Sequence, residues 1–366
     1  MVLTPQQRQR FERDGYLVID DASLPESLLD AVVADLDGLY QGEGEIVDGV
    51  FYARHRVGEA WKISSNVRTL ALHPRILAIV EELFGRKPRP FQTLNFRVGT
   101  QQATHSDTIH FNSMPTGWLC AAWVALEDID MDNGPVVYYP GSHSLPEVTL
   151  RDVGPGADED EYSRHVAGMI ESLELKPEYA TIRRGQVFLW AGNLLHGGSR
   201  QKDTSRTRLS QVTHFFFEDC QYWSPLLSSE EMHLLHPIWV TEHPPSPEDS
   251  DRIRELIRAA VPAGATVLVA SRGDEAILNI DGRQGWHFPQ DEHGVWPGYY
   301  PSDGAEAVAH LEELRIRGAE YLALPEAAAW WLDHYAELKE HLETRCVTVL
   351  REDGCTIFAL REHRRR

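Results

Sequence analysis

Two imidazoles and one carboxylate stand out: His105 and Asp107, separated only by Ser106, and His196 in the run Trp190-Ala-Gly-Asn-Leu-Leu-His196-Gly-Gly. Such a set occupies one face of a metal ion and leaves the remaining positions open. That suits non-haem Fe(II), which needs room for O₂ and a co-substrate. Two histidines, an aspartate and a water also describe a catalytic zinc site, and seventeen histidines allow many triads, so both metals stay open on spacing alone. A zinc hydrolase would need a general base, and the sequence singles none out. Further along lie Arg206 and Arg208. A guanidinium there can grip a carboxylate bidentately, in a geometry lysine does not reproduce. The competing reading of the pair is surface charge on an acidic protein.

The elements that must position these groups are legible in outline. His105 and Asp107 at i and i+2 share one face of a strand, with Ser106 pointing away. Strand formers fill Phe91–Val98 before them, and Gly99 permits a turn. Gln186–Trp190 predicts a second strand ahead of His196, with Gly185, Gly192, Gly197 and Gly198 bracketing it. Leu209 onward predicts a third, whose start would carry Arg206 and Arg208 on one face. The stretch Thr108–Trp118, broken by Pro115 and Gly117, reads as a loop over the metal that touches substrate, with His110, Asn112 and Met114 as its contacts. Thr104, Thr108, Trp123 and Tyr139 are pocket-wall candidates, and His143 is read as structural.

These segments belong to a wider pattern. Phe11-Glu-Arg-Asp-Gly-Tyr-Leu-Val-Ile19, His105-Ser-Asp107, the run Trp123–His143 with its Asn-Gly-Pro and Pro-Gly-Ser-His, Arg184–Trp190, His196-Gly-Gly-Ser199 and Arg206-Thr-Arg208 together resemble the phytanoyl-CoA dioxygenase family of Fe(II)- and 2-oxoglutarate-dependent oxygenases. The resemblance covers roughly residues 5 to 235. It implies an α+β fold: a double-stranded β-helix (a cupin-like jelly roll) with flanking helices. It further implies iron held by His105, Asp107 and His196, and 2-oxoglutarate as co-substrate with Arg208 on its distal carboxylate. Arg206 is the alternative for that role, and Thr108 and Trp123 stand beside the co-substrate. The implied reaction couples decarboxylation of 2-oxoglutarate to hydroxylation of a small-molecule or carbohydrate-linked substrate, touched by His110, Asn112, Met114 and Tyr139. Halogenating members replace the iron carboxylate with a small residue, whereas Asp107 is intact. The alternative is a catalytically inactive oxygenase fold kept for binding or scaffolding.

A chain of 366 residues with 42% hydrophobic content can carry two domains. A formal charge of −21 disfavours nucleic acid or anionic membranes as partners. No apolar run is long enough to span a bilayer, and no signal peptide is recognisable. Cys120, Cys220, Cys346 and Cys355 are too scattered for a disulfide scaffold, which fits a reducing cytoplasm. Thr4-Pro5-Gln-Gln7 predicts a capped helix ending at Gly15, then a strand over 16–19. Leu28 to Tyr40 predicts an amphipathic helix, and 57–85 reads as mostly helical. The acidic stretch Arg151–Ser163 reads as a mobile insertion or lid, with a plain surface loop as the equal alternative.

The proline-rich stretch 244–250 marks a boundary, giving an oxygenase domain over 1–243 and a small accessory α/β domain over 251–366. The latter shows helices at 251–260, 303–317 and 326–343, and strands at 265–271, 321–325, 345–350 and 355–360. It resembles an accessory module of bacterial polysaccharide-biosynthesis proteins, on Val267–Asp274, Trp286–Gln290 and Trp330–Tyr335. That likeness leaves its role open, a protein partner included. Trp286, His287, Trp330 and Trp331 are its candidate ligand contacts.

Overall fold

The computed structural model describes residues 2–360 apart from 48, 155, 227–233, 236, 241–246, 298, 299, 302 and 353. Two compact units divide the chain, Met1–Glu242 and His243–Arg366.

In the first unit α1 (Pro5–Asp14) opens on the expected capping box: Thr4 Oγ1 accepts the Gln7 N–H at 3.2 Å, and Gln7 Oε1 accepts the Thr4 N–H at 2.9 Å. Gly15, at φ 78°, ends it in the left-handed region, where a side chain would be strained. Then follow β1 (Tyr16–Ile19), α2 (Glu26–Leu36), β2 (Glu43–Val47), β3 (Val50–Ala53), β4 (Arg56–Gly58), α3 (Ser65–Ala71), α4 (Pro74–Phe84) and β5 (Pro88–Phe96). Beyond them come β6 (Asn112–Met114), β7 (Cys120–Ala125), β8 (Val136–Tyr138), α5 (Leu150–Val153), α6 (Glu159–Ser172), β9 (Glu178–Tyr179), β10 (Val187–Ala191), β11 (His196–Gly198), β12 (Ser210–Phe217), β13 (Gln221–Trp223) and β14 (Leu234–Leu235).

The main sheet has eight strands in the order β1-β10-β7-β12-β5-β4-β3-β2, antiparallel throughout. Period-two alternation gives it two working faces. Cys120, Ala122 and Val124 of β7 and Phe215 and Phe217 of β12 pack against Leu29, Val32, Leu70 and Ile79 of the helices. The opposite residues, Ala121, Trp123 and Ala125, with Phe188, Trp190 and Val212, face Tyr138, Ala180 and Ile182. Tyr138 belongs to the second sheet, β11-β8-β9. Helices, a large sheet and a small sheet thus form three layers, and the candidate site lies on the inner face.

Several sequence expectations need correction. His105 and Asp107 do not share a regular strand: His105 forms a single bridge to His196, and Asp107 opens a 3-10 turn, Asp107–Ile109. The substrate "loop" is partly strand, since β6 pairs with β13. The acidic stretch 151–163 is largely helical: it begins in the end of α5, Asp158 caps α6 through the Glu161 N–H, Glu159–Glu161 form its first turn, and Tyr162 and Val166 anchor it. Those carboxylates complement the helix dipole, so acidity here signals a helix start. The amphipathic helix stops at Leu36, leaving Leu39 and Tyr40 outside it. The region 57–85 begins with the end of β4 before its helices.

In the second unit α7 (Pro247–Ala260) begins at Pro247 rather than Asp251; residues 244–246 of the proline-rich stretch lie outside the described residues. Next come β15 (Thr266–Val269), β16 (Gln284–His287), α8 (Gly304–Ile316) and β17 (Tyr321–Pro325), then α9 (Trp331–His334), α10 (Ala336–Arg345), β18 (Val347–Glu352) and β19 (Cys355–Ala359). Tyr335 interrupts the single helix expected over 326–343, its hydroxyl donating to the Pro301 carbonyl at 2.7 Å. The sheet order is β16-β15-β17-β19-β18. β15 is parallel to both neighbours and β19 antiparallel to both of its own. One face packs on α8 and α10, the other on α7. His287 is buried between Ser271 Oγ at 2.5 Å and Glu275 Oε1 at 2.9 Å, fastening the loop after β15 to the end of β16.

Candidate metal and co-substrate site

The long gap between Asp107 and His196 is closed by main chain. The His105 N–H donates to the His196 carbonyl and the His196 N–H to the His105 carbonyl, both at 2.9 Å. This reciprocal pair brings the two imidazoles to a ring separation of 4.7 Å. Close approach depends on glycine, because a Cβ on Gly198 would lie 2.6 Å from the Gln101 nitrogen and one on Gly197 2.9 Å from the Gln102 oxygen. One ligand atom each from His105, Asp107 and His196 falls within 4.8 Å of the others.

The donor set fits a divalent ion. His105 Nδ1 lies 2.9 Å from the Ala103 carbonyl and His196 Nδ1 2.9 Å from the Leu194 carbonyl. Those acceptors fix the Nδ1–H tautomer and turn both Nε2 lone pairs toward the common point. Burial, reinforced by His196, pushes His105 down to about 3, so its imidazole is neutral and able to ligate. Burial opposes the charge on Asp107, but His196, His214 and His105 together hold its carboxyl well below the usual range. Trp190 Nε1 donates to Asp107 Oδ2 at 2.7 Å, and His214 Nε2 stands 3.6 Å from Oδ1. The carboxylate is therefore held by a hydrogen bond on one oxygen and faced by a ring nitrogen at the other.

The triad opens into a cavity of about 640 Å³ that also contains Trp123, His110, Arg208 and His214, within the usual range for small-molecule sites. Arg208 is 4% exposed and sits over the rings of Trp123 at 5.1 Å and Phe96 at 5.4 Å. Its Nε has no partner among the described residues, and burial pushes it down to about 10. Glu127 acts on it only from a distance, and among the described residues no ion pair holds it. A buried guanidinium without a close counter-charge is costly, so an anion entering the cavity would be favoured there. Arg206 points elsewhere: its Nη1 holds both oxygens of Asp130 at 3.0 and 2.9 Å. The two arginines share no face, because the chain turns before β12 begins at Ser210.

The other candidates divide. Trp123 and His110 line the cavity, His110 with its ring 5.6 Å from that of His105. Thr108 does not; its hydroxyl pairs with Ser106 at 2.8 Å, and it lines a separate cavity of about 690 Å³. Asn112 is buried, donating to Glu147 Oε2 at 2.7 Å. Met114 is exposed at the end of β6, and Tyr139 packs with Ile109, Tyr162 and Leu195 away from the metal. Thr104 lies under Gly197. His143 has a structural role, its Nε2 3.2 Å from the Glu12 carbonyl and its ring against Gly15.

His214, Glu59, Arg56 and Gln92 line the cavity without having been singled out. His214 was within reach of the sequence, since it lies inside the strand expected from Leu209 onward, two residues from Val212, which lines the same cavity. Glu59 carried no signal. It enters from the far end of the β4 region, and only the pairing of β4 with β5 brings it in.

Compared with known proteins, residues 11–209, more than half of the chain, match the family model described as Phytanoyl-CoA dioxygenase (PhyH). Phytanoyl-CoA dioxygenase domain-containing protein 1 of Mus musculus is 21% identical over 61% of this chain and 93% of its own. The peroxisomal phytanoyl-CoA dioxygenase of Homo sapiens is 22% identical over 63% and 73%. Among solved structures, EctD from S. alaskensis with 2-oxoglutarate and 5-hydroxyectoine superposes with a TM-score of 0.50 at 19% identity, covering 66% of this chain and 85% of that one. At that identity the likeness is one of fold.

Proposed function

We propose that this chain, which belongs to the phytanoyl-CoA dioxygenase family, is an Fe(II)- and 2-oxoglutarate-dependent oxygenase built on a double-stranded β-helix. Its reaction is hydroxylation of a small-molecule or carbohydrate-linked substrate, with release of succinate and CO₂. The observation that carries this reading is the juxtaposition, in one cavity, of the His105–Asp107–His196 cluster and the buried guanidinium of Arg208, whose Nε has no partner among the described residues.

His105, Asp107 and His196 would hold the iron, which when bound supplies the oxygen chemistry. The Ala103 and Leu194 carbonyls keep both histidines in the ligating tautomer, while Trp190 and His214 keep Asp107 oriented. Arg208 would fix the far carboxylate of 2-oxoglutarate, between Phe96 and Trp123 walls that exclude water. His110, whose ring lies 5.6 Å from that of His105 on the cavity wall, would touch substrate. The second unit supplies none of the three ligands.

Anaerobic addition of Fe(II) and then 2-oxoglutarate should produce the weak visible charge-transfer band of a chelated keto acid, and oxygen should then yield succinate. A folded protein giving neither band nor succinate would favour a binding or scaffolding role instead.

A further inference from the structure

Glu59 is the least expected group in the cavity. It follows β4 with φ 61° and ψ 25°, a left-handed conformation that strains a residue carrying a side chain. Its main-chain N–H is tied to the Thr93 carbonyl at 2.8 Å, and the Trp61 indole donates to its Oε2 at 2.6 Å. The side chain is thereby held on the cavity wall. Among the described residues no cation comes within 4.0 Å of that carboxylate; nearby Lys62 donates to the Gly49 carbonyl at 2.8 Å. Burial pushes Glu59 up to about 7, against the pull of Lys62, Trp61 and His214.

A second polar group shares this wall. His214 is 4% exposed, lines the same cavity, and its Nδ1 has no hydrogen-bond partner among the described residues. Phe91 and Phe111 flank its ring, at 6.1 and 5.9 Å, and Phe51 and Leu94 add apolar surface near Glu59. Arg208 is the cation for an anionic co-substrate, and Glu59 is the converse: a desolvated carboxylate awaiting a positive partner.

We infer that the substrate is a small molecule bearing a protonated amine, which Glu59 receives beside His214 while its carbon skeleton lies against Phe51, Phe111 and Leu94. An ammonium offers three donors and one positive charge, matching a carboxylate with a neighbouring unpartnered ring nitrogen. A coenzyme A thioester, polyanionic, fits this wall poorly, with Glu159 also at the cavity. The inference rests on the oxygenase reading, which assigns the remainder of the cavity to metal and co-substrate.

The test uses the full chain and calorimetric binding of matched primary amines and their N-acetyl derivatives, with coenzyme A as a further probe. At least one amine should bind tenfold or more tighter than its acetyl counterpart. Glu59→Gln, which keeps an acceptor for Trp61, should abolish that preference while 2-oxoglutarate binds as before. No amine preference anywhere in the panel, a preference surviving in Glu59→Gln, or tighter binding of coenzyme A than of any amine would overturn the inference. Titrating the wild type with Fe(II) and 2-oxoglutarate separates the two readings. Failure there sinks the oxygenase assignment, whereas success there without amine preference sinks only this one.

Discussion

At the scale of the residue, Arg206 and Arg208 show how little type and spacing say about role. They stand two apart, yet one is paired with Asp130 outside the cavity and the other is buried inside it with its Nε unpartnered among the described residues. Arg208→Ala should therefore weaken 2-oxoglutarate binding by roughly 2–5 kcal/mol, the usual cost of truncating a buried charged contact, and leave metal affinity nearly unchanged. Arg206→Ala should leave co-substrate affinity within experimental error; binding measured on both variants decides. Glu59 gives a pH signature. Its carboxyl rises from 4.5 to about 7 on folding, so the folded state favours the proton. The stability this contributes is full below about 4.5 and is lost as pH climbs through 7. Glu59→Gln should accordingly gain melting temperature over wild type as pH rises across that window, and a constant difference would contradict it. The three ligand candidates were readable because their chemistry is distinctive. Glu59 was not, because nothing local distinguishes a cavity glutamate from a surface one.

At the scale of the element, strands and caps were legible wherever the governing interaction is local. The Thr4 box, the stop at Gly15 and the strand at 16–19 all follow from neighbours in sequence. The segment from Gly99 to Asp107 was not, because its path is set by non-local contacts with β11 rather than by its own alternation. Asp107 reaches the metal point from a 3-10 turn that no period-two count could place. Gly198→Ala tests that contact, since the added methyl meets the Gln101 main chain. It should cost about 1–3 kcal/mol, as overpacking does, and weaken metal binding with it. Gly168→Ala, within α6 and facing open space, should instead be neutral or stabilising by up to about 1 kcal/mol. Equal melting temperatures for the two variants would contradict the proposed close approach.

At the scale of the whole molecule, every residue assigned to metal, co-substrate or substrate falls within Met1–Glu242. The second unit carries its own sheet and its own two cores. A chain ending near residue 245 should keep the Fe(II)–2-oxoglutarate band. If that shortened chain stays folded by circular dichroism but loses the band, the second unit is part of the catalytic apparatus. Among the described residues no helix is long and apolar enough to cross a membrane. The charge of −21 says nothing of the cavity, where Arg208 and Glu59 place opposite charges on different walls; a sum over the sequence averages away the few groups that choose a ligand.

The segments bearing His105 and His196 are stitched together by their own main chains, so the cage should stand before any ion enters. A chelator would then strip the ion without loosening the fold, unlike small domains that unravel when their metal is removed. Iron starvation would idle such a protein rather than destroy it, and resupply would restore it without new synthesis.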